Sequence, residues 1–455
     1  MISEGSAADP PELPATHRRM YAILRRASTA VVILLALCAA VGFWNSVKPL
    51  PPGMHVRSLE ARLAESDAAF LTPDVAPQRV LTLIDHAVRL VVLDLRSGDT
   101  RAFAALLTSH LLARKRARPN LQILLTTDPL GEAGRAARSI DLRSIEAAGI
   151  IVARTQVDRL RDSNPVFSAP WRVLLAWWID ALPAIGLQAW LRLQNGNANQ
   201  RAVAVADDGN GGWVGIVLDG ETGVQVGGAL AADIAAAELR VAVWSTDDDR
   251  LPAAPAVDRT DVGSIDARYL TEGAVRDALL ETLRAAGGGD ELCIATGNLA
   301  QRRLVEALKE AARRGAAIRL LLPVNDLPNQ ATAGELVREG AGAIIVRWRP
   351  PGDPGPVAKL LLARHAHDVM VEFGSADFTR RGLDDENLTA NLELRVPQRS
   401  ALARTAVAFF DGQWASAAAY EQYSDESASK YWRYRLLEAT GLPLRQHGAG
   451  FGDDL

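Results

Sequence analysis

Cysteine is almost missing from this chain: among 455 residues only Cys38 and Cys293 occur, the first inside a long apolar run and the second in a predicted strand. Two thiols so placed build no disulfide framework, and neither has the spaced partners of a zinc site. Neither metal nor cofactor is expected, and the fold must rest on its apolar core. An excess of either charge is missing as well. The 50 Lys and Arg stand against 54 Asp and Glu, a net charge of -4. That balance gives no general attraction to a polyanion, so no nucleic-acid partner is expected.

What the chain has is apolar substance, 48% of its residues, over a length that suits two domains of ordinary size. Residues Ala27 to Trp44 run for 18 positions without a charge, behind Arg18, Arg19, Arg25 and Arg26 and ahead of Lys48-Pro49-Leu50-Pro51-Pro52-Gly53. At about 1.5 Å per residue such a helix comes close to the hydrocarbon thickness of a bilayer. The expectation is a membrane anchor over 27–45. The arginine excess puts residues 1–26 in the cytoplasm and the main domain outside it, as in a bacterial inner membrane protein facing the periplasm. A cleaved signal peptide and a buried helix are the competing readings. The long stretch ahead of the run and the lack of a small-x-small site weigh against the signal peptide. Leu35-Ala36-Leu37-Cys38 fits a lipoprotein box only loosely, because Leu37 is not small.

Residues 55–75 read as a helical or irregular approach, after which two stretches run through the same order of elements. In the first, 89–95 is a strand, 101–117 a helix, 121–126 a strand, 133–148 a helix and 149–153 a strand. In the second, 291–296, 301–314, 317–322, 330–339 and 341–348 repeat that order. Apolar strands alternating with amphipathic helices predict mostly parallel sheets flanked by helices, an α/β fold of two repeats over 55–250 and 260–440 with a tail at 441–455. Helix 301–314 keeps Leu304, Ala307, Leu308 and Ala311 on one stripe, and Arg302, Arg303, Glu306, Glu310, Arg313 and Arg314 read as its solvated face. Gly315 marks its end.

From Ile151 to Gln200 the first repeat takes 49 residues where the second, from Ile345 to Val357, takes 12. The excess, 49 less 12 or 37 residues, contains the Trp-rich insert 164–193 with Trp171, Trp177, Trp178 and Trp190. It reads as a core or groove-covering helix, an interfacial helix on the membrane, or a second span; Asp180 and Pro183 argue against the last. Tryptophan at a lipid boundary would suit the interfacial reading, because its ring is apolar while its N–H stays hydrated, and the core or groove-covering helix stands ahead of it.

The run Val357-Ala358-Lys359-Leu360-Leu361-Leu362-Ala363-Arg364, followed by Gly374-Ser375-Ala376-Asp377 and then Asn391-Leu392-Glu393, resembles the second half-site of the phospholipase D superfamily, His-x-Lys-x4-Asp and then Gly-Ser-x-Asn. Lys359 and Gly374-Ser375 match. Val357 stands for the histidine, Arg364 for the Asp and Asp377 for the Asn. A first half-site lies at 199–207, with Gln200 for His, Ala202 for Lys and only Asp207 in place, and Gly215 where its Gly-Ser-x-Asn is expected. None of the histidines, His17, His55, His86, His110, His365, His367 and His447, heads a His-x-Lys.

The resemblance implies a cleft between two pseudo-symmetric repeats, in which one histidine attacks phosphorus, another protonates the leaving oxygen, and Lys and Asn hold the phosphate. Side chains at i and i+2 of a strand share a face, which puts nucleophile and cation in one pocket. Gln200 and Val357 offer no titratable nitrogen, so no catalytic residue is intact. Lys359, Ser375, Asp377 and Arg380 remain as phosphate-binding candidates. Lys359 reads equally as a paired lysine, Arg364 as a partner of Asp377 or an outward charge, and Gly374-Ser375 as a close approach of strands. Glu393 would orient a histidine in the family; here its role is open. His365 and His367 read as a surface turn, with metal binding and substitute catalysis as rivals.

The implied function is a membrane-anchored phospholipase D-like protein with a degenerate, inactive site that binds phospholipid or a partner. The rivals are an active phospholipase D or cardiolipin synthase-type phosphatidyltransferase, and a structural partner of an active paralogue.

Overall fold

The computed structural model describes residues 15–51, 54, 58–95, 101–128, 140–175, 197–246, 248–256, 263–324, 327–350, 358–424 and 431–433. The strands, in chain order, are β1 (Ser58–Leu63), β2 (Ala68–Leu71), β3 (Leu90–Asp94), β4 (Gln122–Thr127), β5 (Ile151–Arg154), β6 (Val203–Asp207), β7 (Trp213–Asp219), β8 (Thr222–Gly227), β9 (Ile265–Thr271), β10 (Glu291–Ala295), β11 (Ala317–Pro323), β12 (Ile344–Arg349), β13 (Leu360–Arg364), β14 (Asp368–Gly374), β15 (Ala390–Pro397) and β16 (Ala418–Ala419).

These strands form two sheets. The first has the order β2-β8-β7-β6-β3-β4-β5, and the second β1-β9-β15-β14-β13-β10-β11-β12-β16. Matching β2 to β9 and β3 through β8 to β10 through β15 turns the first order into the middle of the second, so the two repeats have one topology. Within each, β3-β4-β5 and β10-β11-β12 are parallel, and the later strands are antiparallel hairpins. Parallel strands need a crossover of a dozen residues or more, which the helices Arg101–Ala117, Arg302–Arg313 and Leu327–Glu339 supply. Residues 58–71, expected as helical or irregular, hold β1 and β2. Their pairing with β9 and β8 overrides weak local propensity.

One buried cluster draws Val92, Val205, Val217 and Val224 from the first sheet and Tyr269, Leu360, Leu392 and Leu394 from the second, with Leu230, Ile234 and Leu239 of the helix Gly228–Ser245. The other face of each sheet is covered by its crossover helices, through Leu107, Leu111 and Ile123 in the first repeat and Leu304, Leu308 and Ile318 in the second. Central strands are thus buried on both faces, which is why β3 and β13 read as continuous apolar runs.

The helix Ala15–Val47 begins well ahead of the apolar run, taking in the flanking arginines. Within it Arg19–Val47 is long and apolar enough to cross a membrane, and only 6% of its most apolar window is buried. Its far end is docked: the Asn45 carbonyl accepts the Asp162 amide at 3.0 Å, and Arg161 donates to the Lys48 carbonyl at 2.7 Å. The insert is described only to Leu175, as a helix Pro165–Pro170 and a wide turn Trp171–Leu175, so Trp177, Trp178 and Trp190 lie outside the described residues, as does 133–139 of the predicted helix 133–148, whose remainder holds a helix over Leu142–Ala147.

Candidate functional site

A cavity of about 60 Å³ lies where the two repeats meet, and Gln200, Ala202, Lys359 and Ser375 all line it. Repeat topology explains this convergence. Gln200 precedes β6, and its amide donates to the Leu388 carbonyl at 2.8 Å, just ahead of β15 in the other repeat. Lys359 precedes β13, and its amide donates to Asp219 Oδ2 at 2.7 Å, at the end of β7. Each half-site is therefore pinned to the opposite repeat through its own backbone. Val357 lies outside the described residues.

Asp219 is the residue that sequence reasoning missed. In the β6–β7 hairpin Val203 opposes Val217, which sets Ala202 against Leu218 and leaves Asp219 next in line. In the β13–β14 hairpin Leu360 opposes Phe373, which sets Lys359 against Gly374 and leaves Ser375 next. Asp219 thus occupies the place of the motif serine, while Gly215 lies within β7 opposite Val205 rather than at its end. Pairing residues outward from the Asp208–Gly212 turn would have found it. Its Oδ1 accepts from Lys359 Nζ at 2.6 Å, with the two side chains 7% and 12% exposed. The lysine of one repeat is bound by a carboxylate of the other.

Gln200, Ser375 and Glu221 supply the remaining polar side chains of the cavity. Gln200 Oε1 is buried and has no hydrogen-bond partner among the described residues. The Ser375 hydroxyl accepts from the Ala390 amide at 3.0 Å and lies 3.3 Å from the Ala390 carbonyl. Gly374 permits this approach: a Cβ there would fall 2.2 Å from the Ala390 oxygen. Asp219 and Glu221 carry the negative charge, and Pro77, Val80, Leu95, Phe103, Leu107, Ile140 and Leu218 form an apolar wall.

Between Gln200 and Ala202, Arg201 is turned the other way, into a sealed cluster. It donates to Glu272 Oε1 at 2.7 Å and to Glu238 Oε1 at 3.0 Å, and the Tyr269 hydroxyl also reaches Glu238, at 2.5 Å. Beside it Asn199 donates to both oxygens of Asp94 at 2.9 Å. Burial first, and then the neighbouring Glu238, push the Asp94 carboxyl well above the ordinary range.

The other motif positions lie elsewhere. Asp207 accepts the amides of Val88, Arg89, Leu90 and Gly209. Arg364, expected with Asp377 or in solvent, pairs with Glu291 at 2.5 Å, because Glu291 is its partner across the β10–β13 ladder. Asp377 and Arg380 do not line the cavity. Asp377 sits by Gly297, and Arg380 donates to the Ser163 carbonyl at 2.9 Å and pairs with Glu386 at 3.4 Å. Glu393 is held by Arg268 at 2.8 Å across strands. His365 meets Asp290 at 2.8 Å in the turn, and no metal-binding group of three or more His, Cys, Asp or Glu occurs among the described residues.

Residues 279–414 match the family profile described as cardiolipin synthase, PLD-like domain. None of the curated proteins matches the sequence. Among solved structures, the phosphatidylserine synthase of Haemophilus influenzae Rd KW20 superposes with a TM-score of 0.56 at 9% identity, over 85% of this chain and 96% of that one. The phospholipase D family member Nuc of Salmonella typhimurium (TM-score 0.29, 15% identity, 34% of this chain and 99% of that one) and the polyphosphate kinase of Porphyromonas gingivalis (0.41, 12%, 85% and 56%) are more distant.

Proposed function

We propose that this chain, which belongs to the phospholipase D superfamily by its fold and its second repeat, is a membrane-tethered protein whose former catalytic cleft has lost phosphodiester chemistry and serves to bind phospholipid or a protein partner. The observation that carries this reading is the Lys359–Asp219 pair at 2.6 Å in the cavity shared by both half-sites.

A phosphate at Lys359 would have to displace or abut a carboxylate. Two like charges about 4 Å apart, at an effective dielectric of about 20, repel by about 4 kcal/mol, as much as the lysine attracts. Gln200 and Val357 meanwhile bring no group that attacks phosphorus or moves a proton. The tether reading is supported by the exposed apolar residues of the first helix, such as Val32 and Leu35, and by Trp44 at its end. Residues ahead of it would lie in the cytoplasm and the repeats outside. A cardiolipin synthase profile and a phosphatidylserine synthase fold favour phospholipid over nucleic acid as the ligand class.

The test uses the full chain in lipid nanodiscs with labelled phospholipid. No product is expected from the natural sequence. A variant carrying Gln200→His, Ala202→Lys, Asp219→Ser, Val357→His and Asp377→Asn is expected to turn over, and the same variant without Asp219→Ser to stay silent. Turnover by the natural chain that Lys359→Ala abolishes would overturn the proposal. Vesicle sedimentation reads lipid binding, and co-purification of a paralogue without it selects the partner.

A further inference from the structure

The far end of the first helix is covered along one side. Its described residues from Arg19 onward are nearly all exposed, and those shielded toward its end, Cys38, Val41, Gly42 and Asn45 with Ser46 beside them, follow the i, i+3, i+4, i+7 spacing of one face. The helix Pro165–Pro170 and the turn Trp171–Leu175 pack against this helix. The Asn45 carbonyl meets the Asp162 amide, and from there back to Cys38 is about 10 Å of helix. The covering segment therefore runs back beside the apolar span, not away from it.

Its composition suits that position. The only charge within 165–175 is Arg172, which donates to both oxygens of Asp162 at 2.7 and 2.8 Å, and the Asp162 side chain is sealed from solvent. A paired charge is tolerated at a lipid boundary where a bare one is not. Leu174 nevertheless stays 45% exposed, beside a helix whose Trp44 is 70% exposed. The mount is also tight. Past the helix, Leu50 and Met54 are buried with Leu160, Val241 and Leu388, and Arg161 donates to the Lys48 carbonyl, so little slack separates the span from the repeats.

We infer that the segment 165–175 lies in the headgroup layer of a bilayer beside the first helix, with Leu174 in contact with lipid, and that it seats the cleft next to the membrane. The inference rests on the reading of the first helix as a tether and adds which face of the repeats lies on lipid. Asn197 joins the cleft to this face: it donates to the Arg161 carbonyl at 2.6 Å and accepts the Ser163 amide at 3.2 Å. Gln200, which lines the cavity, follows within about 10 Å of extended chain. The arginines around the mount are matched by carboxylates, Arg161 by Asp385, Arg172 by Asp162 and Arg380 by Glu386. The contact is thus apolar and needs no anionic headgroup.

Fluorescence quenching on the full chain in phosphatidylcholine nanodiscs tests this, with shallow spin-labelled lipid as quencher. A polarity-sensitive dye is placed on Leu174→Cys, on Trp44→Cys or on Glu310→Cys, each with Cys38→Ala. Cys293 is fully buried and its thiol is pushed up to about 12 by burial, so it does not react. The dyes at 44 and 174 are expected to lose most of their emission, and the dye at 310, on the exposed side of the helix Arg302–Arg313, none. Replacing half the phosphatidylcholine by phosphatidylglycerol is expected to leave the loss at 174 unchanged. Quenching at 44 without quenching at 174 overturns the inference and keeps the tether, leaving this face to a protein partner. Quenching at neither position sinks the tether itself. A loss at 310 equal to that at 174, or a loss at 174 that appears only with phosphatidylglycerol, also overturns the inference.

Discussion

The carboxylate of Asp207 accepts four backbone amides, three of them from the residues that lead into β3. Burial raises its pKa, but these amides outweigh burial and hold it below the ordinary Asp value. The one motif residue retained in the first half-site is thus a clamp on the sheet. Asp207→Ala is expected to lower stability by about 2–3 kcal/mol, since hydrogen bonds to a charged group are the strong kind. A depressed folded pKa means the contribution is full above the unfolded value and disappears as pH falls through the folded one. Denaturant midpoints from pH 6 down to pH 2 should show natural chain and variant converging at the acid end; parallel curves would refute the clamp. In the second repeat Arg364 reaches Glu291, the first residue of β10, from the equivalent place, so one latch is built twice with different chemistry. That exchange explains why Arg364 read as a lost site residue: sequence shows which residue replaced Asp, not that its partner changed with it.

At the scale of elements the order of strands and helices was legible, because buried parallel strands and crossover helices impose apolar periods of their own. Register was not. The β6–β7 turn has five residues between Asp207 and Trp213, and the β13–β14 turn four between Arg364 and Val369. That one residue moves the glycine-serine position to Asp219 and hides it from a motif written on the other repeat. The helix Arg302–Arg313 shows the same limit. Its stripe was legible, but Arg302, read as part of the solvated face, is only partly exposed, and Lys309, which that reading left out, is buried. Both grip Glu335 of the helix Leu327–Glu339, at 2.7 and 2.8 Å, and Lys309 is only 4% exposed. Although burial opposes it, bonding to Arg302 and Lys309 pulls Glu335 down to about 2. Glu335→Gln is expected to cost about 2 kcal/mol at neutral pH. Because the folded pKa is the lower one, the deficit should persist down to about pH 4 and fade toward pH 2. Thermal unfolding across that range checks it, and a deficit unchanged at pH 2 would rule out the ion pair as its source.

The whole molecule is joined through the buried cluster at Arg201, which belongs to one repeat and bonds Glu272 of the other. One guanidinium there faces Glu238 and Glu272, and Asp94 lies alongside, accepting from the Asn199 side-chain amide. Three carboxyls against one fixed cation cannot all ionise out of water, and the one without a bond to the cation keeps its proton. Burial and Glu238 accordingly raise Asp94. The sign is opposite to that of Asp207. The folded chain holds a proton that the unfolded chain has already released, so this group subtracts stability as pH rises from about 3.9 toward its folded pKa. Asp94→Asn keeps an oxygen for Asn199 and abolishes the titration. Its denaturation midpoint is expected to equal or exceed that of the natural chain at pH 7 and to lie lower or level at pH 4. The same Asn199 precedes Gln200, so the bond from its amide to Asp94 anchors the segment from which the cavity is lined. If the natural chain and Asp94→Asn keep a constant difference in midpoint from pH 4 to pH 7, then burial does not raise the Asp94 carboxyl and this reading of the cluster fails.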